Sequence, residues 1–339
     1  MNIFAITTRG LEEISNAEMQ ALPGIHDLSN GYRHIRATVQ KGLSALLDLR
    51  TVDDVFLELT EWEQVGHERS TLAEFSERST ELALGEPLAQ LRGLREIPGH
   101  PTFSVTANFV GKRNYSNDEI KLAVSEGVLQ SQAGWQYAED DRVADLNLRV
   151  FIEHSKALVG LRIGETPLHR RDYKQAQLPG SLKPTVAAAM LRIARLQEDQ
   201  VCLDPFCGSG TIVIEAALAG AGSMGGDIEQ AMLKAAETNR QAAGVKVAFS
   251  QWDAMQLPLP GAIVDLVVSN LPWGRQVEVD GSLWKLYEES YLEMLRVIKP
   301  GGKLVLLTSF PDLLPEEPED QIEISLFGQT PSVLRFETA

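Results

Sequence analysis

Cysteine is almost missing from this chain: Cys202 and Cys207 are the only two among 339 residues. Two thiols cannot build a disulfide framework or a four-thiolate metal site, and their scarcity places the chain in a reducing compartment, the cytoplasm. The six histidines show no ligand spacing, so no metal is expected. Long apolar runs are absent too, none approaching the ~18 to 20 residues that span a bilayer, which excludes a membrane segment. The start, residues 1–10, has no basic flank, apolar stretch and small-residue cleavage site in series, and reads as a strand and turn instead of a leader. Positive charge is scarce: Lys and Arg number 31 against 47 acidic residues, for a net charge of −16. That argues against a broad basic face for nucleic acid. Internal repeats and low-complexity tracts are lacking as well.

The most informative segment present is Ser269-Asn270-Leu271-Pro272-Trp273-Gly274, which closes the apolar run from Ile263 to Val268. Pro272 removes a backbone donor and biases Leu271 toward extended conformations, so the Leu271 carbonyl is held in one direction. Asn270 adds a side-chain acceptor. Two converging acceptors suit the two hydrogens of an exocyclic amine, and Trp273 offers a ring to stack on a base. Leucine between Asn270 and Pro272 then serves through its main chain, so Leu271→Pro is expected to keep activity.

Upstream, Asp204-Pro205-Phe206-Cys207-Gly208-Ser209-Gly210-Thr211 joins a short strand (201–203) to a helical segment (212–219). Gly208 and Gly210 suggest close backbone approach to a ligand. No third glycine completes the dinucleotide fingerprint, and no Gly-Lys-Ser/Thr makes a phosphate loop. An acid at the mouth repels a pyrophosphate but suits a cationic amino-acid ligand such as S-adenosylmethionine, so methyl transfer is the expected chemistry. Gly225-Gly226-Asp227 ends a second strand, where an acid can accept from ribose hydroxyls, with Ile228 beside it. Trp252-Asp253-Ala254 ends a third, placing Asp253 toward an adenine amine, and Asn270 ends a fourth. Lys183 and Thr185 begin the helix 186–196, with Pro184 at its first position, and are candidates for the cofactor's carboxylate end. Cys207 is not expected to be a nucleophile, since a Pro-Cys motif is missing.

The N-terminal half alternates strands (4–7, 35–39, 55–59, 103–107, 146–152, 156–163) with helices (11–21, 43–49, 82–94, 117–130), an α+β pattern whose first part is ferredoxin-like. Residues 162–195 carry seven basic side chains against two acidic ones. This local excess could meet phosphates while the rest of the surface repels nonspecific polyanion, giving strongly salt-sensitive RNA binding.

The C-terminal half resembles the class I S-adenosylmethionine methyltransferases that methylate amines, whose substrate motif is Asn/Asp/Ser-Pro-Pro-aromatic. The 204–211 loop is similar to that of RNA guanine-N2 methyltransferases carrying a THUMP domain. Phe103-Ser104-Val105, Lys112-Arg113-Asn114-Tyr115-Ser116, residues 146–150 and residues 157–161 resemble a THUMP domain. Thr166 to Lys174 and Gly180 to Thr185 resemble the junction that this family places between THUMP and catalytic domains. The resemblance implies an α/β chain with a ferredoxin-like domain at 1–62, a THUMP RNA-binding domain at 63–165, a linker at 166–182 and a Rossmann-like class I methyltransferase domain at 183–339. That domain would have a seven-stranded, mainly parallel sheet with an antiparallel last strand. It implies catalytic Asn270, Leu271, Pro272 and Trp273; cofactor contacts from Asp204, Pro205, Phe206, Cys207, Gly208, Gly210, Thr211, Asp227, Ile228, Asp253, Ala254, Asn270, Lys183 and Thr185; and RNA contacts from Lys112, Arg113, His169, Arg170, Arg171 and Lys174. The implied substrate is tRNA, modified at guanosine 6 of the acceptor stem by a monomeric enzyme. Ribosomal RNA, DNA adenine and protein glutamine are alternative substrates, and a noncatalytic RNA-binding or assembly factor is the alternative of a different class.

Overall fold

The computed structural model describes residues 1–273 and 281–338. Its backbone divides into two compact units, residues 1–7 with 16–168, and residues 8–15 with 169–339. In chain order the N-terminal half runs β1 (Asn2–Ile6), α1 (Glu12–Gln20), β2 (Ile25–Gly31), β3 (His34–Val39), β4 (Asp54–Trp62), α2 (Thr71–Thr80), α3 (Gly85–Arg92), β5 (Thr102–Phe109), α4 (Asn117–Ser131), β6 (Gln136–Tyr137), β7 (Leu146–Glu153) and β8 (Lys156–Arg162). All eight strands join one sheet, in the order β2-β3-β1-β4-β8-β7-β5-β6.

The period-2 pattern explains how these strands sit. Leu146, Leu148, Val150 and Ile152 of β7 enter one apolar core that runs from Ile3 to Ile163, while Phe151 joins Phe4, Ile6, Phe56 and Leu158 on the other face. The expected boundary at 62/63 falls at the end of β4, whose two edges pair with β1 and β8 inside this single sheet. Residues 43–48 form a 3₁₀ turn where a helix is expected. Helix α2 has no counterpart in the sequence reading, because two of its three buried positions are polar residues, Thr71 and Ser79, flanking Phe75. The start of α4 follows its sequence: the Ser116 hydroxyl accepts from the Glu119 N–H and the Glu119 carboxylate accepts from the Ser116 N–H.

The second unit contains α5 (Pro184–Ile193), β9 (Val201–Asp204), α6 (Thr211–Leu218), β10 (Gly222–Asp227), α7 (Gln230–Ala243), β11 (Ala248–Gln251), β12 (Val264–Asn270), α8 (Gly281–Val297), β13 (Ile298–Thr308), β14 (Asp320–Glu323) and β15 (Ser332–Glu337). The sheet order is β11-β10-β9-β12-β13-β15-β14. Strands β9 to β13 are parallel, and β15 runs antiparallel to β13 and β14. This is the expected seven-stranded Rossmann-like sheet. The chain builds outward from β9 to β11, then returns to the opposite flank of β9 with β12. That reversal is a topological switch point, and ligands of open α/β sheets bind beyond the strand ends there.

Candidate active site

Asp204 ends β9 and Ser269 is the last residue but one of β12, the strands on either side of the switch point. The Ser269 hydroxyl donates to Asp204 Oδ1 at 2.6 Å, and the Phe206 N–H donates to the same oxygen at 3.1 Å. Asp204 is 2% exposed, and burial pushes its carboxyl up to about 7 despite both bonds. A buried carboxylate at a strand end is costly unless a cation approaches it. The two loop glycines differ in purpose. At Gly208 (φ +52) a Cβ would meet open space, which leaves the loop wall open to a ligand; at Gly210 (φ +81) it would meet Phe249 at 3.0 Å and Ala236 at 3.1 Å. At Gly210 the lack of a side chain makes room for the protein's own Phe249 and Ala236. Gly210 caps α6 without a side-chain bond, and the N–H groups of Thr211, Ile212 and Val213 find no acceptor among the described residues. Burial raises the Cys207 thiol well above its ordinary value, which fits no nucleophile.

At the end of β10, Asp227 accepts from the Gly208 N–H at 3.0 Å and from the Glu229 N–H at 2.9 Å, so it ties the loop to the strand and keeps further lone pairs. The Cys207 N–H donates to the Gly226 carbonyl at 2.9 Å, completing that tie. Trp252 lies past the end of β11 and turns inward, its indole N–H donating to the Pro205 carbonyl at 3.2 Å. Asp253 and Ala254 follow in the loop, not in the strand as expected; Asp253 accepts from the Met255 N–H at 2.9 Å and Ala254 is buried. Ile228 is 63% exposed, an apolar side chain left at the strand end.

The substrate motif adopts a definite geometry up to Trp273; its Gly274 lies outside the described residues. The Trp273 indole N–H donates to Asn270 Oδ1 at 2.7 Å, which fixes the amide's orientation and leaves that oxygen's second lone pair. The Leu271 carbonyl takes no hydrogen bond among the described residues, whereas its N–H donates to the Leu307 carbonyl at 3.0 Å and its side chain is buried. That N–H adds a stability cost to Leu271→Pro that its expected activity does not address, because proline would strip a donor at the end of β12. The Pro272 carbonyl accepts from the Tyr287 hydroxyl at 2.8 Å, and that hydroxyl also meets Thr308 at 2.7 Å. Burial pushes the Tyr287 phenol up to about 12, so it stays a neutral donor.

The junction departs most from its sequence reading. Residues from His169 onward group with the second unit, and the buried Asn239 side chain binds the Ala176 N–H and carbonyl and the Ser209 carbonyl at 2.8 to 3.0 Å. Arg171 Nε lies 3.4 Å from Glu215, with both side chains buried, and the Tyr173 hydroxyl donates to the same carboxylate at 2.8 Å. The Lys174 ammonium donates to the Leu182 carbonyl and, at 3.2 Å, to the Thr211 hydroxyl. Arg162 forms a buried pair with Asp54 at 2.7 Å; burial is the larger influence on Asp54 and carries its carboxyl to about 6. Arg113 is held by the Gly66 carbonyl, the Tyr115 hydroxyl and the His154 carbonyl, and lies over the Phe109 and Tyr115 rings. Arg113, Arg171 and Lys174 are thus engaged inside the fold instead of presenting a phosphate-binding face. Lys112 and Arg170 are exposed and His169 is half-buried. Lys183 is the N-cap of α5 and Thr185 is buried beside it.

Ser269, Trp252, Asn239 and Tyr287 were missed as site-shaping residues. Ser269 alone carried a signal, a hydroxyl ending an apolar strand beside Asn270. The other three act over 15 to 63 residues of sequence, beyond any local pattern.

Residues 171–321 match the UPF0020 family, the RMKL-like methyltransferase domain. The chain is 33% identical over 227 residues to tRNA (guanine(6)-N2)-methyltransferase of Thermus thermophilus, a match covering 65% of each protein. It is 34% identical over 190 residues to U6 snRNA (guanine-N(2))-methyltransferase of Bos taurus, covering 53% of this chain and 35% of that one. These sequence matches span less than two thirds of the relatives' own length. The crystal structure of TrmN from Thermus thermophilus superposes with a TM-score of 0.81 at 27% identity, over 100% of this chain and 99% of that one. The order of the second sheet, the polar residues gathered at its switch point and these matches agree on a methyltransferase fold for the second unit, whose residues 171–321 match the RMKL-like methyltransferase domain of UPF0020.

Proposed function

We propose that this chain transfers a methyl group from S-adenosylmethionine to the exocyclic N2 amine of a guanosine in tRNA, guanosine 6 of the acceptor stem. The observation that carries this reading is the Asn270 amide, oriented by the Trp273 N–H, beside a Leu271 carbonyl that takes no hydrogen bond among the described residues and one residue from the serine that holds Asp204. S-adenosylmethionine supplies an electrophilic methyl on a sulfonium. Asp204 complements positive charge at the switch point. Asp227 keeps lone pairs for ribose hydroxyls, Asp253 lies in the loop that would meet an adenine amine with Ala254, and Ile228 offers an apolar face to the ring. Pro205, Phe206, Cys207, Gly208 and Thr211 shape the loop, while Lys183 and Thr185 start α5 close to Leu182.

Asn270 Oδ1 and the Leu271 carbonyl would each accept one amine hydrogen of a guanine turned out of its stack, with Trp273 against the ring. Holding both hydrogens orients the nitrogen, and such positioning supplies much of the acceleration. No strong base is needed beforehand, since the amine sheds its proton after becoming cationic. The region 63–165, read as a THUMP domain after a ferredoxin-like 1–62, would choose the RNA with Lys112 as a phosphate contact, and His169 and Arg170 of the junction would contact phosphate from the second unit. The relatives' names support guanine N2 of RNA as the target, and the Thermus relative's name supports tRNA position 6. A monomer working in the cytoplasm completes the proposal. Incubation with methyl-labelled S-adenosylmethionine and separate pools of tRNA, ribosomal RNA, DNA and protein tests it. Label is expected in tRNA; label confined to another pool, or to none, contradicts it.

A further inference from the structure

Lys174 is a partly buried cation with no anion paired to it among the described residues. Its ammonium donates to the Leu182 carbonyl, at the entry to α5, and to the hydroxyl of Thr211, the first residue of α6. An ammonium has three donors, and among the described residues the third is unused. The nearest carboxylate in influence, Glu215, is already bound by Tyr173 and Arg171 one turn further along α6, and forms no ion pair with Lys174 among the described residues. Burial lowers the Lys174 ammonium to about 8, a sign of how little compensates it. The same spot holds a second unmet demand, because the N–H groups of Thr211, Ile212 and Val213 lack acceptors in residues that are themselves buried. Positive charge placed at the positive end of a helix is unfavourable unless an anion sits between them.

We propose that Lys174, a junction residue outside the glycine loop, binds the carboxylate of the cofactor's amino-acid end, together with the first N–H groups of α6. This rests on the proposal that S-adenosylmethionine is the cofactor. It removes Lys174 from the RNA-contacting set and makes the junction part of the cofactor site. A carboxylate is the anion that fits, since Asp204 and Asp227 line the same loop and would repel a more highly charged phosphate.

Titrating the full chain with S-adenosylhomocysteine and with 5′-methylthioadenosine, which lacks the amino-acid end, tests the assignment by binding alone. Lys174→Met is expected to weaken S-adenosylhomocysteine roughly ten- to a hundredfold, the loss of a charge-assisted hydrogen bond, and to leave 5′-methylthioadenosine unchanged. Lys174→Arg is expected to restore most of the loss. Equal weakening of both ligands, or of neither, overturns the proposal. The methyl ester of S-adenosylhomocysteine makes the same test on the unaltered protein: it should bind at least about tenfold more weakly than the acid, and equal affinity overturns the proposal. If the unaltered protein binds neither nucleoside, the cofactor reading itself has failed, an outcome distinct from either result above.

Discussion

Asp204 sets the pH response of the site. Its ordinary value of 3.8 is raised to about 7, chiefly by burial. A carboxyl raised in the folded state favours folding fully below about pH 4, and that contribution is lost as pH rises through 7. A cationic ligand reverses the preference, because it needs the carboxylate. Cofactor affinity should therefore rise with pH through about 7, by at most about tenfold per unit, with a proton released on binding. Calorimetry between pH 6 and 8 in buffers of different ionisation heat measures both; Asp204→Asn should bind more weakly and lose the slope, and a flat profile in the unaltered protein contradicts the account. Leu271 makes a second test. Leu271→Pro removes the donor to Leu307, whose buried carbonyl is left unpaired, so thermal melting should show a loss of about 1–3 kcal/mol; unchanged stability would show that the strand end tolerates proline. The sequence read the roles at 270–273 from residue chemistry, but a backbone N–H carries no residue letter, so the sheet bond at Leu271 was invisible in it.

At the scale of elements, the strand ends were legible because a polar residue follows an apolar run, as at Asp204 and Asn270, or a glycine pair, as at Asp227. What closes the gaps between them was not. Gly226 reads only as a glycine at a strand end, yet a Cβ there would meet the Trp252 ring at 2.1 Å, and Trp252 in turn holds the Pro205 carbonyl. Gly226→Ala should cost about 1–3 kcal/mol by overpacking and weaken cofactor binding by displacing the 204–210 loop. Melting and S-adenosylhomocysteine titration check this, and unaltered values in both would remove Trp252 from the site's support. Helix α2 shows the same limit. It packs so closely on α4 that a Cβ at Gly127 would meet the Ser76 carbonyl at 2.0 Å. Small polar residues serve there as spacers, and in the sequence they resemble a loop.

For the whole molecule, the acidic balance stands with less local relief than the sequence suggested. Arg162 and Arg171 are buried in ion pairs and Lys174 is drawn into the second unit's interior. The stretch 162–195 therefore offers fewer phosphate contacts than its letters imply. A plot of log affinity for RNA against log salt should have a shallow slope, between about −2 and −4. A slope of about −6 or steeper would reveal a basic face that this account does not contain. Charge counts overstate such faces whenever the fold turns a cation inward, which only tertiary structure decides.

The proposal that joins these scales is that the Asn270–Trp273 segment at the end of β12 takes the N2 amine of guanine in RNA. The most direct measurement is to treat unmodified tRNA with the protein and S-adenosylmethionine, digest it and identify the methylated nucleoside by mass. The account predicts N2-methylguanosine, lost with Asn270→Ala while S-adenosylhomocysteine still binds. N6-methyladenosine as the product, or N2-methylguanosine formed at an unchanged rate by Asn270→Ala, would contradict it.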